Sequence, residues 1–140
     1  MAFNAYLKLD GIKGAESATR KNDIEILSYS WGITAASELG APATVQSFVF
    51  TADVAEHSPQ LVEKLVTGDT ILLGELTLVG VVPRPLSGIS MTFTKIKIDS
   101  YASGGAGDEA PKESVSFTFQ KCVFAAGTQQ VTFPQFSKTG

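Results

Sequence analysis

The chain has 140 residues, 14 acidic and 11 basic, with a net charge of −3; 44% of its side chains are hydrophobic and only 18% charged. Arg20-Lys21 is the only adjacent basic pair, so the cationic footprint of a nucleic-acid binder is excluded, and the single cysteine, Cys122, excludes an intrachain disulfide and a cysteine-based metal site. Charge falls below the roughly 25% usual for a globular domain, so part of the surface is expected to be covered by other subunits.

The length suits one domain over residues 1–140, with a short tail from about residue 128. At the start, Phe3, Leu7 and Leu9 alternate with Asn4, Tyr6 and Lys8, which is strand period. That alternation is not the apolar run of a secretory signal, and no later stretch is long enough to insert in a membrane. The chain is therefore expected to begin in the cytosol, and any export must bypass a cleavable signal peptide. Residues 10–22 read as turn and loop. Residues 24–31 form a second strand, with Ile24, Ile26, Ser28 and Ser30 on one face and Leu27, Tyr29 and Trp31 on the other. Residues 34–44 are small and nearly charge-free, an unusual composition for a loop that meets only water.

A third strand runs over 45–53, with Phe48 and Phe50 facing one way and Ser47, Val49 and Thr51 the other. Residues 57–68 are the one clear helix. Ser58 is the expected N-cap, Pro59 the first helical residue and Gly68 the left-handed stop. Leu61, Val62, Leu65 and Val66 make its apolar stripe, while Glu63 and Lys64 stay outward. One short helix cannot build a core, so the stripe must lie against a sheet. Residues 71–82 are strand-like, with Gly74 and Gly80 as candidate bends. After the two prolines of 82–88 comes a long strand, 89–101, whose apolar phase slips from Ile89, Met91 and Phe93 to Ile96 and Ile98. A β-bulge or burial on both faces would account for the slip. Beyond the glycine-rich loop 102–111, Val115, Phe117 and Phe119 alternate with Ser114, Ser116, Thr118 and Gln120. Cys122 reads as a buried thiol, and Val131 and Phe133 mark a last short strand before the polar tail. The pattern predicts a mainly β, antiparallel barrel or sandwich with one helix.

Catalytic chemistry finds no constellation. A Ser-His-Asp arrangement would have to run through His57, the only histidine, and no GxSxG elbow accompanies it. Asp108-Glu109 offers too few oxygens for a calcium loop. Asp23 and Glu25 read as solubilising charges, and the glycine loops lack a phosphate-binding context. No enzyme, cofactor or metal is expected. The hydroxyl residues Ser28, Ser30, Ser47, Thr51, Ser114, Ser116 and Thr118 suit either a wetted lining or an ordinary solvent-facing sheet. Two function classes follow: an assembling structural subunit, or a ligand- or carbohydrate-binding β-sandwich that presents Tyr29 and Trp31.

The order of segments resembles the Hcp family (haemolysin-coregulated proteins), the tube subunits of bacterial type VI secretion systems. The residues that carry the resemblance are the opening stretch 2–17, the strand ending Tyr29-Ser30-Trp31-Gly32, Phe48-Val49-Phe50, the Ser58-Pro59-Gln60-Leu61 helix start with Gly68, the long strand over 89–101, and the 113–119 strand. The resemblance implies an antiparallel β-barrel of two sheets with one flanking α-helix, assembled as a homo-hexameric ring. Rings of this family stack into a tube inside a contractile sheath, behind a spike, and some carry effector proteins in the lumen. It also implies a bacterial cytoplasmic protein secreted to the exterior. By the same resemblance Ser37, Glu38, Leu39, Gly40, Ala41 and Pro42 belong to the loop that meets a neighbouring ring or subunit. Glu63 and Lys64 are then available to a neighbour, and Ser28 and Ser30 face the lumen. The loop at 34–44 lacks the usual glycines and histidine, and 120–127 lacks the Tyr-x-Trp type of ending. A phage tail-tube-like protein is the alternative within this architecture.

Overall fold

Strand formation follows the alternation closely. In β1 (Phe3–Leu9), Ala5, Leu7 and Leu9 are buried while Asn4 and Lys8 are exposed. In β5 (Phe48–Asp53), Phe48, Phe50 and Ala52 are buried. The computed structural model describes residues 3–14, 23–36, 39–41, 43–80 and 89–133. The remaining strands are β2 (Ile24–Ser30), β3 (Ile33–Thr34), β4 (Thr44–Val45), β6 (Ile71–Gly80), β7 (Ile89–Gly104), β8 (Lys112–Ala126) and β9 (Gln129–Phe133), with α1 (His57–Thr67) between β5 and β6. The expectations for Arg20-Lys21 and for residues 81–88 and 134–140 lie outside the described residues.

The main sheet runs β5-β2-β1-β6-β7-β8-β9, and β5 also pairs with the Lys112–Phe117 part of β8. That second pairing closes six antiparallel strands into a barrel, and closure leaves no open edge among the six. β9 then adds to the other half of β8, from Cys122↔Phe133 to Ala126↔Gln129. Phe48, Phe50, Phe93 and Phe117 fill the interior, with Phe48–Phe117 centroids 5.0 Å apart and Phe93–Phe117 centroids 5.1 Å apart. Contacts of this geometry add to the area they bury.

Two irregularities re-aim side chains. β2 bulges between Ile26 and Ser28, because Ile26 pairs with Ala52 but Ser28 with Thr51. Ile24 and Ile26 therefore face the core while Leu27, Ser28 and Ser30 are exposed and Tyr29 turns inward. The expected single face of Ile24, Ile26, Ser28 and Ser30 is thus broken at Leu27 by one extra residue. The phase slip of β7 has a different origin from the bulge expected there. Lys95 adopts φ 57°, yet pairing keeps one register across it, Phe93↔Cys122 and Ile96↔Phe119 on one side, Gly74↔Phe93 and Ile71↔Ile96 on the other. The neighbours slip in step: Leu72-Leu73 and Gln120-Lys121 both turn outward. A true bulge follows at Asp99, between Ile98↔Phe117 and Ser100↔Ser116.

Gly74 is more than a bend. A Cβ there would stand 2.6 Å from Ile96 Cδ1 and 2.8 Å from Leu9 Cδ2, so β6 needs a residue without a side chain to let both neighbours pack.

The helix packs on β7. It starts two residues earlier than the capping pattern predicts: Glu56 holds the N-cap position with no side-chain cap bond, and His57 is the first helical residue. Ser58 is occupied elsewhere, as described below. The glycine stop is as expected, with Gly68 at φ 76° and its N–H donating to Lys64 O at 2.9 Å. Of the expected stripe only Leu61 is fully buried. Val62 and Leu65 are half-buried and Val66 is 78% exposed.

Candidate assembly surfaces

Three features stand apart from the core. The first is an arm. Beyond Ser30↔Val49 the β2–β5 hairpin continues outward through Gln46 N–H to Gly32 O at 2.9 Å and the pairs Ile33↔Val45 and Thr34↔Thr44. Gln46 Nε2 adds a 3.2 Å bond to Thr34 Oγ1. Ile33 is half-exposed, and Leu39 at the turn is fully exposed beside Gly40, whose φ of 87° suits a tight turn. Ala41 is exposed too, while Ser37, Glu38 and Pro42 lie outside the described residues. An aliphatic side chain held wholly in water on a short hairpin has no internal partner that would explain it.

The second is a hydroxyl-lined outer face. Register places Ser28, Thr51, Ser114 and Ala102 in one cross-strand row and Ser30, Val49, Ser116 and Ser100 in the next, over β2, β5, β8 and β7. Ser28 Oγ lies 2.7 Å from Thr51 Oγ1, and Ser100 Oγ lies 2.7 Å from Ser116 Oγ. Ser47 Oγ donates to Asp99 Oδ2 at 3.2 Å, and Thr118 Oγ1 donates to Asp99 Oδ1 at 3.5 Å. The structure thereby joins all seven hydroxyl residues singled out from the sequence into one wall, and adds Ser100 and Asp99, which alternation alone does not place. At one end of the wall an open hollow of about 510 Å³ is lined by Leu27, Ala102, Gly104 and Lys112 among others. Lys112 Nζ pairs with Asp53 Oδ1 at 3.1 Å, with both side chains about half-exposed.

The third is a buried polar cluster under α1. Glu113, on β8, is 2% exposed. Its Oε2 bonds to His57 Nε2, and its Oε1 accepts from Ser58 Oγ at 2.6 Å and from Tyr101 Oη at 2.8 Å. Ser58 Oγ also accepts from Ala55 N–H at 3.0 Å. Burial by itself pushes the Glu113 carboxyl up, but the bonds from His57, Ser58 and Tyr101 outweigh it and hold it below the ordinary carboxylate range. Burial, and then the bond to Glu113, raise Tyr101 above the usual phenol. Among the described residues, every buried side-chain nitrogen and oxygen has a partner. Ser58 and His57 both point at the carboxylate and are both 3% exposed, so this trio is a fastening, with no hydroxyl presented to a substrate. The sequence carried a signal for Glu113: an acid in phase with Val115 and Phe117 on the inward face.

The remaining candidates are dispersed. Glu63 is exposed and Lys64 half-buried on α1, away from the wall's strands in sequence and unlinked to it by any hydrogen bond described. Trp31 stacks on Phe133 and meets Phe124 edge-on, both at 5.4 Å, and Tyr29 stacks on Phe48 at 5.8 Å. These rings pack inward and do not form the flat aromatic platform that a carbohydrate-binding surface needs. Asp108 and Glu109 are exposed in the β7–β8 turn, and no group of three potential metal ligands exists among the described residues. No helix among them is long and apolar enough to cross a membrane.

The family model described as "Type VI secretion system effector, Hcp" matches residues 6–125. Among solved structures, the fold matches Hcp1 from Salmonella typhimurium with a TM-score of 0.80 and 26% identity, over 94% of this chain and 93% of that one. It matches a type VI secretion system effector from Yersinia pestis with a TM-score of 0.75 and 25% identity, over 92% and 96%. Secreted protein Hcp3 from Pseudomonas aeruginosa shares the fold at 14% identity, with a TM-score of 0.76 over 97% and 100%. No curated protein matches the sequence.

Proposed function

The chain belongs to the Hcp family, the tube subunits of type VI secretion systems, and we propose that six copies close into a ring, that rings stack through the arm, and that the hydroxyl-lined wall faces the lumen. The observation that carries this reading is the wall itself. Two adjacent cross-strand rows are built almost entirely of Ser, Thr and Ala on the side of the barrel opposite the core. Such a surface stays hydrated and would meet a passing protein largely through bridging water, which suits a channel through which proteins travel.

The arm is the second support. Leu39 is a solvated aliphatic tip on a two-stranded extension, in the form expected of a contact that buries it against a neighbouring ring. Glu63 and Lys64 are proposed to meet an adjacent subunit. The role is structural and non-enzymatic, with sheath, spike and effector proteins as further partners. The chain would travel from the cytoplasm to the exterior through the apparatus.

Native mass spectrometry with negative-stain imaging tests the reading. The expected result is a mass of six chains and ring-shaped particles with an open centre. A monomer at tens of micromolar with no rings overturns it.

A further inference from the structure

The attachment of α1 to the barrel is uneven. Apolar burial supplies one complete anchor, Leu61, with Val62 and Leu65 half-buried and Val66 in water. Gln60 exchanges two hydrogen bonds with the Lys13 backbone, at 2.9 and 2.8 Å, but both lie in exposed surroundings. The first turn is held differently. His57 and Ser58, consecutive residues of α1, both bond to one buried carboxylate on β8, which is also bonded to Tyr101 on β7. Three elements thus meet at a single charge.

We infer that Glu113 is an acid-sensitive latch: its ionised carboxylate holds the first turn of α1 on the barrel, and its protonation lets α1 separate as a unit while the closed sheet stays intact. The six strands of the barrel are held mainly by continuous ladders and a core of phenylalanines. This inference concerns the monomer fold and does not rest on the ring.

A carboxylate accepts at both oxygens with a full charge, whereas a carboxylic acid is neutral, carries a proton on one oxygen and accepts more weakly. Here Oε1 accepts from two hydroxyls and Oε2 meets His57 Nε2, so protonation removes the charge that strengthens these bonds. The groups facing the carboxylate are His57 and Ser58 from α1 and Tyr101 from β7. Its chain neighbour Lys112 is engaged with Asp53 on β5, and Glu56, at the N-cap of α1, is exposed. The sign follows from linkage. Glu113 is held below its ordinary value in the closed form and returns to about 4.3 when freed. The latch is therefore fully engaged above about pH 4.3, and its hold is lost as pH falls from there through the lowered value.

Hydrogen exchange with mass readout, on the full chain between pH 7 and pH 3, tests this. After correction for intrinsic rates, α1 amides are expected to lose protection by up to about tenfold per pH unit below about pH 4.3, while β1, β6 and β7 amides hold. In Glu113→Gln the α1 opening should lose this pH dependence. In Tyr101→Phe, which keeps the packing but removes one donor, α1 should be less protected at neutral pH and its acid response smaller. Joint loss of protection by α1 and the barrel overturns the inference, as does an acid response unchanged in Glu113→Gln and in Tyr101→Phe.

Discussion

A single buried acid explains more of this chain than any exposed residue. Glu113 bonds three side chains at once, so Glu113→Ala leaves an imidazole and two hydroxyls without their partner inside the protein. Leaving buried polar groups unpaired in this way costs about 1–3 kcal/mol for each, and urea denaturation should show a loss of at least that size. Tyr101 sets the opposite limb. Burial and the bond to Glu113 raise its hydroxyl, so the folded state binds that proton more tightly than the unfolded chain. Its contribution is complete below about pH 10 and is lost as pH rises through the raised value. Tyr101→Phe should flatten the alkaline side of a stability–pH curve measured between pH 8 and 11. Gly74 is constrained by space instead of charge. With Ile96 Cδ1 and Leu9 Cδ2 inside contact distance of any added Cβ, Gly74→Ala should destabilise by about 1–3 kcal/mol through overpacking. Glu113 was legible as an acid at an inward position, but its partners were not. Tyr101, His57 and Ser58 are separated from it by 12, 56 and 55 residues, and nothing in local periodicity couples such distant positions.

At the scale of elements, alternation and capping residues foretold β1, β5, the Gly68 stop and the strand through Phe117, because each of these depends on neighbours in sequence. They failed where a strand answers to its partners. The apolar slip at Ile96 was visible, yet its cause is shared: β6, β7 and β8 turn two consecutive residues outward together while their register is kept. The helix shows the same limit. A stripe of four apolar residues was read as four anchors, but its angular width exceeds what β7 covers, and Val66 is left in solvent. The two ends of the stripe therefore predict different outcomes. Leu61→Ala opens a cavity under the helix and should cost about 2–5 kcal/mol. Val66→Ala removes nothing buried and should stay within about 0.5 kcal/mol, as compared by urea denaturation of the two variants at one pH. The buried thiol belongs with these packing effects. Desolvation raises Cys122 to about 12, so almost no thiolate exists at neutral pH and a thiol reagent should label it only after unfolding.

At the scale of the whole molecule, the barrel separates stability from assembly. Core positions close six strands on one another, and the outer face and arm then remain free to carry contacts. That division makes the arm the cleanest place to test assembly, because Leu39 touches nothing whose loss would unfold the chain. Leu39→Glu places a charge at the fully exposed tip. Its effect on stability should stay within about 0.5 kcal/mol, as for other surface substitutions. If stacking buries Leu39 against a neighbouring ring, however, the same carboxylate would have to be desolvated in every junction, at a penalty of several kcal/mol each. Sedimentation velocity of the wild-type and variant proteins distinguishes the two levels. Rings should persist in Leu39→Glu while stacked species vanish. A variant that still stacks would show that the arm does not join the rings, and one that falls to monomers would move the arm from the junction between rings to the seam between subunits.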